Sequence, residues 1–160
     1  MKRITFAGVC LAAMSLAGCG GSAPKVLATG PVGVFTSAQD CAASEKLKLQ
    51  DCNALIQQAI GMHQVAAKTY ISERLCEAAE GNERCERTDG NAFRPKLLAF
   101  MISFTPPPGT PTAVPLYGLK EKGAVGFTTI DKAKTVLAVD ETLIFSAQAK
   151  FVAEGYVALN

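Results

Sequence analysis

Four of the chain's six cysteines, Cys41, Cys52, Cys76 and Cys85, fall in one short stretch, and covalent links among them would decide how that stretch folds. Their spacings, C-x10-C, C-x23-C and C-x8-C, lack the short C-x2-4-C pairs that zinc sites favour. No C-x-x-C redox pair and no C-x-x-C-H haem attachment occurs either, so neither metal nor cofactor is expected. In an exported chain, four cysteines imply two disulfides, with three possible connectivities. Whether the chain is exported therefore bears directly on its fold.

The N-terminus speaks to export. Lys2 and Arg3 form a positive n-region, residues 4–16 an apolar h-region, and Leu16-Ala17-Gly18-Cys19 reads as a bacterial lipobox. The apolar run is too short to span a bilayer, which takes about 20 residues. An ordinary secretory signal, with Cys19 one more cysteine of the mature chain, is the alternative. The match to lipoprotein signals implies a signal peptide over residues 1–18 and acylation of Cys19 on its sulfur and its new amino group. Several acyl chains anchor stably where one would bind only marginally. Gly20 rather than Asp follows the cysteine, which in enteric-type bacteria resembles a lipoprotein sent to the outer membrane, facing the periplasm. Cys10 would leave with the signal, so one cysteine is lost, one is lipidated and four remain to pair.

Charge adds an exclusion. The chain carries 16 Lys and Arg against 14 Asp and Glu, and removing Lys2 and Arg3 leaves 14 against 14. A neutral mature chain without a Lys/Arg cluster has no electrostatic footprint for nucleic acid. The expected partners are the membrane, through the N-terminal acyl chains, and another envelope protein.

Residues 19–34, rich in Gly, Pro and Ala without amphipathic period, read as a flexible tether with a reach of about 20 Å. Residues 35–90 read as a disulfide-stapled helical unit with an internal echo. Phe35, Ser37 and Cys41 are spaced as Tyr70, Ser72 and Cys76, each Ser a candidate N-cap for a short helix bearing the Cys. Gly81-Asn82 would end the second short helix and turn the chain back. That arrangement favours local bridges, Cys41 to Cys52 and Cys76 to Cys85. A twin helical hairpin, pairing Cys41 with Cys85 and Cys52 with Cys76, is the alternative. Between the two units, residues 49–69 carry Cys52, Leu55, Ile56, Ala59, Met62, His63 and Ala66, with Tyr70 just beyond, at the spacing of one helical face.

From residue 91 to 160 the chain reads as a Pro-rich linker and a β-biased half. Residues 97–104 suit a buried strand or helix turn, and residues 105–111 a stiff polyproline-like spacer. Residues 114–119 and 124–130 flank Lys120-Glu121-Lys122-Gly123 as a β-hairpin, with further short strands at 135–139 and 143–145. Residues 147–154 suit either a strand or a final helix ended by Gly155. The fold class expected is α+β: a small stapled helical unit, then a β-biased C-terminal half.

Reactive constellations are scarce. His63 is the sole histidine, on an apolar helical face with no Asp, Glu or Cys in helical reach to orient it, so it reads as a packed residue. Glu77 with Glu80, and Glu83 with Glu86, sit in a polar stretch and are expected to face water. No G-x-S-x-G, H-E-x-x-H or phosphate-binding glycine loop occurs, and no catalytic residue is assigned.

Beyond the lipobox, the segments Ser-x-x-Asp-Cys at 37–41, Cys52 heading a helix with His63 and Ala67, Tyr70-x-Ser72-x-x-x-Cys76, and Cys85 follow in order. Phe93-x-Pro95-x-Leu97 and Pro115-Leu116-Tyr117 come after them. In these segments the chain resembles the YgiB-like lipoproteins of proteobacteria, over roughly residues 37–128. Lys68 stands where that family often carries Pro, and residues after 135 look foldable where the family is commonly low-complexity. The resemblance implies an exported lipoprotein of uncharacterised activity and supplies no catalytic residues. The expected role is non-enzymatic, structural or partner-binding. The alternative is an enzyme or small-ligand binder acting in the periplasm on envelope components.

Overall fold

A computed structural model describes residues 31–105, 108–120, 125–138, 140 and 142–158. The lipobox, Cys19 and residues 121–124 of the hairpin turn lie outside the described residues. Twelve elements follow in order. They are β1 (Val32–Phe35), α1 (Ala38–Ala42), α2 (Leu49–Ala66), α3 (Glu73–Glu80), β2 (Cys85–Arg87) and β3 (Phe93–Pro95). Then come β4 (Ala99–Ser103), β5 (Thr112–Gly118), β6 (Gly126–Thr129), β7 (Thr135–Leu137), β8 (Leu143–Phe145) and α4 (Ala147–Ala158). The fold is α+β.

Six strands form one sheet in the order β7-β6-β5-β4-β1-β8, antiparallel except for β1 with β8, and β2 pairs with β3 in a separate ribbon. The edge strands β7 and β8 are joined by residues 138–142 alone. Six flat strands would hold the edges about 24 Å apart, at about 4.8 Å per step, more than so short a segment can cross. The sheet therefore curls, and the ring of Phe127 on β6 stacks against Phe145 on β8 with centroids 6.2 Å apart.

Curling gives the sheet an inner and an outer face, and strand alternation sorts the residues between them. Val32 and Val34 of β1, Ala99 and Met101 of β4, Leu116, Phe127 and Val136 form the inner core, closed by Ala149 and Ala153 of α4. Phe35, Phe100, Ile102 and Ala113 take the outer face, where Ala38, Cys41, Cys52, Ile56 and Ala59 of α1 and α2 cover them.

Four expectations about the chain's organisation change. The tether cannot extend to residue 34, because Val32–Phe35 is a buried strand between β4 and β8. Gly33 belongs to that strand for a packing reason: a Cβ there would lie 2.4 Å from the ring of Phe35, which meets Phe104 edge-on across it. The helical unit does not run unbroken to residue 90, since Cys85–Arg87 is a strand of the ribbon. The Pro-rich stretch is no spacer between units. Ser103 on β4 pairs with Thr112 on β5, so residues 104–111 connect two antiparallel neighbours, where prolines lacking an N–H do not interrupt the ladder. Finally, α4 continues through Gly155 to Ala158 rather than ending at Gly155.

The local signals near the cysteines hold. Ser37 Oγ accepts from the Asp40 N–H and Ser72 Oγ from the Leu75 N–H, capping α1 and α3. Gly81, with φ 114°, ends α3 in a region that favours glycine. The disulfides are the local pair, Cys41–Cys52 and Cys76–Cys85, separated by 11 and 9 residues. On the chain-entropy account, each constrains the unfolded chain by about 2–3 kcal/mol. The double variant Cys41→Ala/Cys52→Ala should therefore unfold at a clearly lower urea concentration, with the far-UV circular dichroism spectrum of the native fold retained.

Candidate functional site

The inward stripe of α2 continues past Cys52, Ile56 and Ala59 to His63, which is only 2% exposed. β5 meets it with every second residue, and Tyr117 lies two positions beyond Pro115 and four beyond Ala113 on the face toward the helix. The β2–β3 ribbon brings Glu86 and Arg94 as direct cross-strand partners. These elements converge on one imidazole. His63 Nε2 lies 3.1 Å from Glu86 Oε1 and Nδ1 lies 2.9 Å from the Tyr117 hydroxyl, while Arg94 Nε donates to the same Glu86 oxygen at 2.7 Å.

Donor and acceptor rules set the tautomer. A carboxylate only accepts, so Nε2 carries the proton given to Glu86, and Nδ1 accepts from the Tyr117 O–H. Burial holds the His63 pKa below its ordinary 6.5, and Arg94 pushes the same way, against the raising influence of the Glu86 hydrogen bond. Burial likewise pushes the Tyr117 phenol up. At neutral pH the cluster thus holds a neutral ring, a neutral phenol, one carboxylate and one guanidinium.

Beside it, Tyr117 forms one wall of a cavity of about 80 Å³, lined also by Lys68, Glu80, Thr128, Thr129 and Lys132. Glu80 accepts from the Tyr70 hydroxyl at 2.6 Å and pairs with Lys132 Nζ at 3.0 Å. Burial raises its carboxyl, but the hydrogen bonds from Tyr70 and Lys132 outweigh it and leave the pKa lowered. Burial and the Glu80 contact push Tyr70 up to about 12. Thr128 donates to the Lys134 carbonyl and Thr129 to Asp131, so these hydroxyls serve the β6–β7 turn. A ligand pocket usually encloses about 300–1,000 Å³. This space suits a few waters.

The expectation that the acidic pairs face water is corrected for Glu80 and Glu86, each of which a second element reaches. Glu77 accepts from the Glu83 N–H on the surface, as a loop contact. His63 is indeed packed, yet its orienting groups come from 23 and 54 residues away, outside the helical reach that sequence spacing tests. Tyr117, Glu86 and Arg94 were not legible as partners of His63. The one available signal for Tyr117 was its place in the period-2 pattern of a strand. The four paired cysteines brace α1–α2 and α3–β2 and do not converge. Among the described residues, no group of three or more His, Cys, Asp or Glu could hold a metal ion, and no helix is long and apolar enough to cross a membrane.

The pKa directions set a stability profile. The unfolded chain takes up a proton at His63 before the folded chain does, so stability is full above pH 6.5 and falls as pH drops through 6.5 toward the folded value. Glu80, with its lowered pKa, adds a separate loss only as pH falls below its ordinary 4.5. Urea midpoints measured against pH should show two steps, and the upper one should be absent in His63→Gln.

A family model described as "Protein of unknown function (DUF1190)" matches residues 30–141, which takes in β1 to β7 and leaves β8 and α4 beyond it. No curated protein and no solved structure matches the chain.

Proposed function

This chain belongs to the DUF1190 family of proteins of unknown function, and from that premise we propose that it is a lipid-anchored lipoprotein of the bacterial envelope whose body binds another envelope component. Within that reading it is a YgiB-like proteobacterial lipoprotein, acylated at Cys19, held at the outer membrane and non-enzymatic. The observation that carries the reading is the pair of disulfides in the body, downstream of Leu16-Ala17-Gly18-Cys19. Such bonds persist in oxidising compartments and are rare in the cytosol, and the lipobox supplies the route there.

Two features support binding over catalysis. Both ring nitrogens of His63 are engaged and the ring is buried, so no substrate atom reaches it in this conformation. By contrast, Val65 on α2 and Ile71 ahead of α3 are 89% and 88% exposed, the most exposed of the large apolar side chains among the described residues. In this reading these two aliphatic side chains belong to the contact surface. Crosslinking in intact envelopes should trap a discrete partner with the wild type and lose it with Val65→Asp/Ile71→Asp. A purified body that turned over an envelope substrate, with no partner trapped, would overturn the reading.

A further inference from the structure

We propose that His63 is a proton-operated latch, fastening the β2–β3 ribbon to α2 while its imidazole is neutral and releasing the ribbon when the ring takes up a second proton. The neutral ring can satisfy both neighbours at once, donating from Nε2 to Glu86 and accepting at Nδ1 from Tyr117. A proton added at Nδ1 turns that nitrogen into a donor. Tyr117 must then accept, and its own hydroxyl proton has to swing away from α2 toward the cavity it lines.

Burial makes the acid form unfavourable, and Arg94 adds to it, against the raising influence of Glu86. Glu86 Oε1 already accepts from the Arg94 guanidinium, so a protonated His63 would place a second cation on the same oxygen, at a residue 2% exposed. Among the described residues, Glu86 is the one carboxylate hydrogen-bonded to the ring. On α3, Glu80 is committed to Tyr70 and Lys132, and on α1, Asp40 is committed to Thr36 and Ser146. β4 faces α2 with Phe100 and Ile102, and β5 offers only the Tyr117 phenol. Burial first, and Arg94 after it, hold the His63 pKa below its ordinary value.

The element released is the ribbon. It reaches α2 through Glu86, and its remaining backbone ties are local: Tyr70 and Phe93 exchange N–H to carbonyl bonds at 2.7 and 2.8 Å, and the Lys96 N–H donates to the Arg84 carbonyl. The Cys76–Cys85 bridge keeps the ribbon joined to α3. Acid would therefore loosen the ribbon without unfolding the stapled helix, uncovering the buried side of Tyr117. An envelope protein meets the pH of its surroundings more directly than a cytosolic one, and histidine is the side chain that titrates there.

Because the chain has one histidine, its imidazole gives a single set of nitrogen signals in the full-length protein. At neutral pH those signals should report the tautomer with the proton on Nε2. On acidification the ring should titrate below its ordinary value. In the same interval the amides of Tyr70, Phe93 and Lys96 should lose hydrogen-exchange protection, after correction for intrinsic rates, while those of α2 keep it. Glu86→Gln, which removes the opposing carboxylate, should move the midpoint lower still. A ring that carries its proton on Nδ1, or that titrates at or above its ordinary value, would overturn the latch. So would ribbon amides that stay protected through the titration. His63→Gln should abolish the acid-induced loss, and a variant that kept it would contradict the proposal.

Discussion

Replacing Phe127 with alanine should destabilise the protein by about 3–5 kcal/mol, the range for emptying a fully buried aromatic site. Phe127 is 0% exposed on β6, in the inner core with Val32, Val34, Leu116 and Val136, and it stacks on Phe145 of the opposite edge strand. The contact does two things at once. It fills the inside of the curl, and it holds β6 against β8, which hydrogen bonding does not join. Surrounding side chains come from strands fixed in one sheet, so little collapse into the vacated space is available. Phe151→Ala serves as the control, because that ring is 69% exposed on α4 and its loss should stay within about 0.5 kcal/mol. Urea denaturation of the two variants should separate them widely.

The second large effect concerns the C-terminal elements. Ending the chain after residue 141, where the family match stops, should abolish cooperative unfolding even though β1 to β7 are retained. The cut removes β8, leaving β1 as an open edge, and removes the donation from the Ser146 N–H to the Val34 carbonyl and from the Ser146 hydroxyl to Asp40. It also removes Ala149 and Ala153, which close the inner core, and exposes the Phe127 ring that Phe145 covers. An exposed apolar interior with an unpaired edge is the condition for a loosely packed, aggregation-prone state. Near-UV circular dichroism and limited proteolysis of the shortened chain would show it. A sharp transition like that of the whole chain would mean that the fold is complete within residues 30–141.

What could be read in advance was what local chemistry decides. The caps at Ser37 and Ser72, the glycine stop at Gly81, the periodic face of α2 and the hairpin of β5 with β6 all follow from residues a few positions apart. The disulfides belong to the same class, since turns within short loops bring each pair together. Misreadings arose where distant segments decide. Val32–Phe35 looks like more tether because Gly33 and Pro31 lower its strand character, and only β4 and β8 on either side make it a central strand. The prolines after Ser103 suggest a spacer until β4 and β5 are seen to pair across them. His63 looks isolated because Glu86 and Tyr117 approach from other elements, and no spacing along α2 encodes that meeting.

The proposed function divides the six cysteines into one removed, one lipidated and the four that the disulfides pair. The intact mass of the chain extracted from membranes, measured before and after reduction with alkylation, tests that division in one experiment. The account predicts a chain starting at Cys19 that carries acyl groups, takes up no alkyl group before reduction and takes up four after it. A mature chain with an unmodified Cys19, or one still bearing residues 1–18, would contradict it.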